Sequence, residues 1–126
     1  MTTSASLEPV CAQDLVRLME QLGRRTLAAA VRLLTANLLM CEYQPWQRGP
    51  AWISAIVAHR NDIESLIGEF PVLAQEVLPL AQSEYQRAMR QARAETGLAP
   101  GAFPPTLPFT AAQLLDHDFI PLLSGE

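Results

Sequence analysis

The sequence predicts an all-α protein: a small antiparallel helical bundle with a proline-rich C-terminal strap and a short terminal helix. Three observations carry this. Apolar residues recur every three or four positions over long segments. Prolines and glycines fall mainly between those segments. No stretch shows the strict alternation of a half-buried strand, and no repeat is present.

Residues 1–11 are small and polar, and are expected to form a flexible N-terminal arm before a single helical domain over 12–126. Leu15, Val16, Leu18, Met19 and Leu22 have helical spacing. Gly23 is expected to end or kink that helix. From Thr26 to Tyr43 the chain is apolar over most of a helical circumference, with Arg25, Arg32, Thr35 and Glu42 as a narrow polar stripe. A helix of that kind is buried on several sides, as the centre of a bundle or at a dimer interface.

The stretch YQPWQRGPAW, residues 43–52, follows. Pro45 disfavours the α conformation for Gln44, and Pro50 suits the first turn of a new helix. So short a link makes its two helices antiparallel neighbours. The next helix spans about 50–69, with Trp52, Ile53, Ile56, Ile63, Leu66, Ile67 and Phe70 on one face. Trp52 is expected to be largely buried beside Tyr43, making the stretch a packed corner rather than a binding surface.

A third helical run extends from Pro71 to about Thr96, with Pro79 expected to kink or break it and Gly97 to stop it. The four prolines between Ala99 and Phe109 make an extended strap anchored by Phe103, Leu107 and Phe109. Thr110 and Gln113 match a capping box that opens a short helix to about Asp116.

The 126 residues are 49% hydrophobic, which argues against intrinsic disorder. The net charge of −4 argues against nonspecific nucleic-acid binding, which works by neutralising phosphates. The longest apolar run is interrupted by Arg32, Thr35 and Asn37, so no membrane span is expected. Cys11 and Cys41 are too isolated for a zinc motif or a disulfide framework, and read as reduced thiols of a cytoplasmic protein. The N-terminus lacks a basic region followed by an apolar one, so no signal peptide is expected.

No nucleophile elbow, phosphate-binding loop or zinc-protease motif occurs. Asp116, His117 and Asp118 are adjacent and point in different directions, so they do not converge on one ion. No cofactor and no metal are expected. Arg87, Arg90 and Arg93 drift around their helix and read as a solvated face. The polar residues that stand out are Asn37 and Arg60, both on apolar faces, with His59 beside Arg60. A buried guanidinium needs acceptors, and Glu95 and Asp116 are the carboxylates expected to pair with it. The resulting cluster of Asn37, His59, Arg60, Glu95 and Asp116 reads as a network fixing helix register, or as a site for an anionic ligand or enzyme chemistry. The function read from the chain is a helical module that binds a protein partner, a homodimer included. The alternative is an enzyme or anion-binding protein built around Arg60.

The segments LMEQLGRR, LLMCEYQP, AW…I…R…I, Y…A…A…ETGL, FP…LPF and QLLDHDF.P appear in this order. Over about 14–121 the chain resembles the family known as domain of unknown function twenty-nine. The resemblance implies an all-helical bacterial protein and no particular activity. Asn37 stands where the family pattern usually has His, Met40 where it often has Lys, and Leu107 where Cys is common. Chemistry based on that histidine would be absent here.

Overall fold

The structure, a computed structural model, describes residues 12–121. Five α-helices follow one another: α1 (Ala12–Tyr43), α2 (Pro50–Glu69), α3 (Val77–Ser83), α4 (Tyr85–Thr96) and α5 (Ala111–Leu115). Short 3-10 turns cover Pro45–Gln47, Pro71–Glu76 and Pro100–Ala102. No strand occurs among the described residues. The expected flexible arm over residues 1–11 lies outside them.

The first helix is continuous through Gly23. A Cβ on that glycine would sit 3.2 Å from a Phe70 ring carbon and 3.3 Å from a Leu73 methyl. The glycine therefore does not stop the helix. It lets the chain leaving α2 press closely on α1, at the cost of some helix propensity. The same contact shows that α1 and α2 are antiparallel, since the end of α2 meets the early part of α1.

Core packing follows the register of α1. Leu27, Val31, Leu34 and Leu38 are fully buried against Ile56, Ile63, Leu73 and Val77. From residue 36 to 41 every side chain but Asn37 is buried. Coverage of the earlier part is one-sided. Thr26 is exposed, and Ala29 and Leu33 are only half-buried.

The polar stripe of α1 is not simply solvated. Thr35 is buried and its hydroxyl donates to the Val31 carbonyl at 2.8 Å. Arg32 pairs with Glu84, and Glu84 also accepts from Arg87 at 2.9 Å. Glu84 sits at the break between α3 and α4, so Arg32 faces that junction.

Pro79 stands third in α3, where its missing N–H would have had no intrahelical partner. The run from Pro71 to Thr96 accordingly starts as a 3-10 turn, becomes α-helical just before Pro79, and breaks at Glu84. Gly97 ends α4 in the left-handed region with φ 75°, its N–H bonded to the Arg93 carbonyl at 2.7 Å.

The strap crosses the bundle on aromatic anchors. Phe103 meets Tyr43 edge-on, with ring centroids 5.6 Å apart, and Phe109 meets Phe119 at 6.0 Å. The Tyr85 hydroxyl donates to the Pro104 carbonyl at 2.7 Å, and burial pushes its pKa up to about 12.

The corner differs in part from its sequence reading. Trp52 is half-buried and packs on the core, while Trp46 is 71% exposed. Trp46 lies in the 3-10 turn that Pro45 opens, and no residue of that turn is buried.

Candidate functional site

Arg60 is the largest fully buried side chain in the described protein, 1% exposed. Its position on α2 between Ile56 and Ile63 places it in the core. Its Nε donates to the Leu114 carbonyl at 2.8 Å, and one terminal nitrogen donates to the Gln113 carbonyl at 2.9 Å. Both carbonyls belong to the last turn of α5, whose C-terminal acceptors have no partners within the helix. A cation there also meets the negative end of the helix dipole. The capping box at the other end of α5 forms as the sequence predicts, with Thr110 and Gln113 bonding reciprocally.

The carboxylate pair expected for Arg60 is absent. Glu95 is exposed and accepts from Gln91 at 3.4 Å. Asp116 is exposed and accepts from the Asp118 N–H at 2.9 Å. Burial pushes the Arg60 pKa down, and the Asp116 charge opposes this through space. Peptide carbonyls replace the carboxylate because they are already oriented at a helix end, and binding them strips no second charge of water. Backbone acceptors leave no trace in residue types, so composition could not reveal them.

Asn37 is half-buried, and its amide donates to the Leu33 carbonyl of its own helix at 3.1 Å. No bond joins it to Arg60. His59 is half-buried on a different side of α2, where burial lowers its pKa and Asp62 opposes the shift. The five residues picked from the sequence therefore do not form one cluster. His117 instead pairs with Glu64, tying the chain after α5 to α2. Among the described residues, no group of three or more His, Cys, Asp and Glu could hold a metal ion.

The surface that does assemble lies on α1. No residue from 12 to 22 is buried. Leu15, Val16, Leu18, Met19 and Leu22 are 51%, 49%, 54%, 51% and 61% exposed. These residues form a spur beyond the point where Phe70 and Leu73 meet Gly23. The face of the spur continues into a groove of about 470 Å³ between α1 and α2. The α1 wall of the groove is Thr26, Ala29, Ala30 and Leu33, and its α2 wall is His59, Asp62, Ser65 and Leu66. Leu15, Leu18, Leu22, Thr26, Ala29 and Leu33 follow at intervals of three or four, one face of one helix. The sequence shows that spacing plainly, but periodicity does not distinguish a face that is covered from one that is bare.

No helix among the described residues is long and apolar enough to cross a membrane. No curated protein and no solved structure matches the chain. Residues 6–120 match the family described as Domain of unknown function DUF29, and with nearly its whole length matched the chain belongs to that family.

Proposed function

We propose that this protein is a bacterial, cytoplasmic protein-binding module that works through the apolar face of α1. The observation carrying this reading is the bare, contiguous run from Leu15 to Leu22, continuous with the groove beside it. The largest apolar patch on a monomeric protein is typically a few hundred Å² and often serves as an interaction site. Helix-in-groove recognition uses anchors at this spacing. The anion-binding or enzymatic alternative loses its main support, because Arg60 is buried and bonded to the α5 carbonyls.

The test is affinity capture in the host of origin, with tagged wild type and tagged Leu18→Glu/Leu22→Glu expressed beside an untagged copy. Wild type is expected to retain a protein, its own untagged copy included, that the variant does not. Retention of the same set by both would overturn the reading.

A further inference from the structure

We propose that the partner of this face is a second copy of the chain. The two copies pack antiparallel about a two-fold axis near Leu22, and each spur lies in the other's groove. This inference rests on the protein-binding reading above and names its partner.

The first argument is shape. The stripe on α1 has a half with large residues, Leu15 and Leu18, and a half with smaller ones, Thr26 and Ala29. Reversing a second α1 about Leu22 sets Leu15 opposite Ala29, Leu18 opposite Thr26, and Leu22 opposite its own copy. Large side chains then meet small ones at both ends, the self-complementarity that an isologous interface requires. The chain's own fold leaves the groove open, and an apolar helix of matching length is present in every other copy.

The second argument is area. Five large apolar side chains, each about half exposed, bare a surface on the order of 400 Å². Pairing two spurs only with each other would bury about twice that, short of the roughly 1,200 Å² of the smallest specific interfaces. Seating each spur in the opposite groove adds the groove walls to the buried surface and brings the total toward that range.

The third argument is charge. Arg25 is exposed and makes no ion pair among the described residues. Asp14, which already pairs with Arg17 at 3.5 Å, and Arg25 border the stripe on the same side, three helical turns apart. Antiparallel packing keeps like edges together, so Arg25 of one copy lies toward the Asp14–Arg17 pair of the other.

The experiment is sedimentation equilibrium on full-length wild type and Leu18→Glu/Leu22→Glu, with circular dichroism to confirm that both are folded. Wild type is expected to be dimeric at micromolar concentration, and the variant to dissociate at least 100-fold more readily. A second measurement fixes the register. In a Cys11→Ser background, Leu15→Cys/Ala29→Cys should oxidise to a covalent dimer, because these positions lie about 21 Å apart along one helix and cannot bridge within it. A wild type that stays monomeric at high concentration would overturn the inference, whether another protein or the chain's own terminus covers the face. The protein-binding reading would then be decided separately, by the captured proteins. A dimer that survives Leu18→Glu/Leu22→Glu, or one that fails to cross-link, would also overturn the inference.

Discussion

The two ends of α1 are built from similar residues and meet different fates. Residues 36–41 contain Leu38, Leu39, Met40 and Cys41, all wholly buried. Residues 15–22 contain Leu15, Leu18, Met19 and Leu22, all at least half exposed. The large apolar residues alone do not separate the two stretches, although Arg17, Glu20 and Gln21 make the earlier one more polar. Chain length does: α2 and α4 reach the later stretch, while the Phe70–Leu73 turn meets α1 at Gly23 and nothing among the described residues covers what precedes it. Whether an apolar helical face becomes core or stays bare is thus set by where its neighbours stop.

The comparison breaks most visibly at the covered end. Leu38→Ala should lower unfolding free energy by about 2–5 kcal/mol, as in other cores where the cavity cannot collapse. Leu18→Ala, measured by denaturant titration at high dilution, should stay within about 0.5 kcal/mol of wild type. Equal losses at the two sites would mean that the spur is core after all. Arg60→Ala belongs with the covered end and should cost about 3–5 kcal/mol, since it abandons two buried carbonyls and opens a cavity. Arg60→Met fills the cavity and should recover part of that loss.

Between the two ends, Gly23 gives a graded measure of closeness. Gly23→Leu should cost about 1–3 kcal/mol by displacing Phe70. Gly23→Ala should nearly cancel, because a gain in helix propensity of about 1 kcal/mol offsets a contact only a few tenths of an ångström too tight.

Thiol chemistry sharpens the contrast without removing any contact. Burial raises the Cys41 pKa from 9.0 to about 11. In a Cys11→Ser protein, an aromatic disulfide reagent at pH 8 should label Cys41 only as fast as the chain unfolds. The sign of the linkage follows: above pH 9 the unfolded thiol ionises and the folded one does not, so stability declines as pH rises.

His59, on the groove wall, gives a smaller effect at the other end of the scale. Its folded pKa lies below 6.5, so the unfolded chain takes up the proton first on acidification. Its contribution is complete above pH 6.5 and declines as pH falls toward the folded pKa. His59→Gln should flatten that part of the stability profile. The smallest effect expected is none: phosphate, nucleotides and simple carboxylates should leave the thermal midpoint unchanged, and should do so equally in Arg60→Met. A shift in wild type that vanishes in the variant would revive the anion site.

Much of the fold was legible in the sequence. Helix spacing, the Pro50 start, the Gly97 stop, the Phe103 and Phe109 anchors and the Thr110 capping box all rest on local chemistry, which residue types encode. Three features were not legible. Gly23 looked like a breaker, but its role depends on Phe70, which is remote in sequence. Arg60 looked like half of an ion pair, but its acceptors are peptide carbonyls. The 26–43 segment looked like a bundle centre or a dimer interface, when the bare apolar face lies mainly at 15–22. Each turns on which distant segment arrives where, and wheel geometry carries no information about that.

The Arg60 contacts also have a consequence for synthesis. Domains form as the chain emerges from its N-terminus. Once α1 and α2 have left the ribosome they can pair, but the guanidinium between them has no acceptors until Gln113 and Leu114 follow, more than fifty residues later. Until then the nascent bundle must keep Arg60 hydrated and its centre open. A chain cut short before α5 would carry that defect permanently, and would present quality-control proteases with a loose core rather than a smaller finished one.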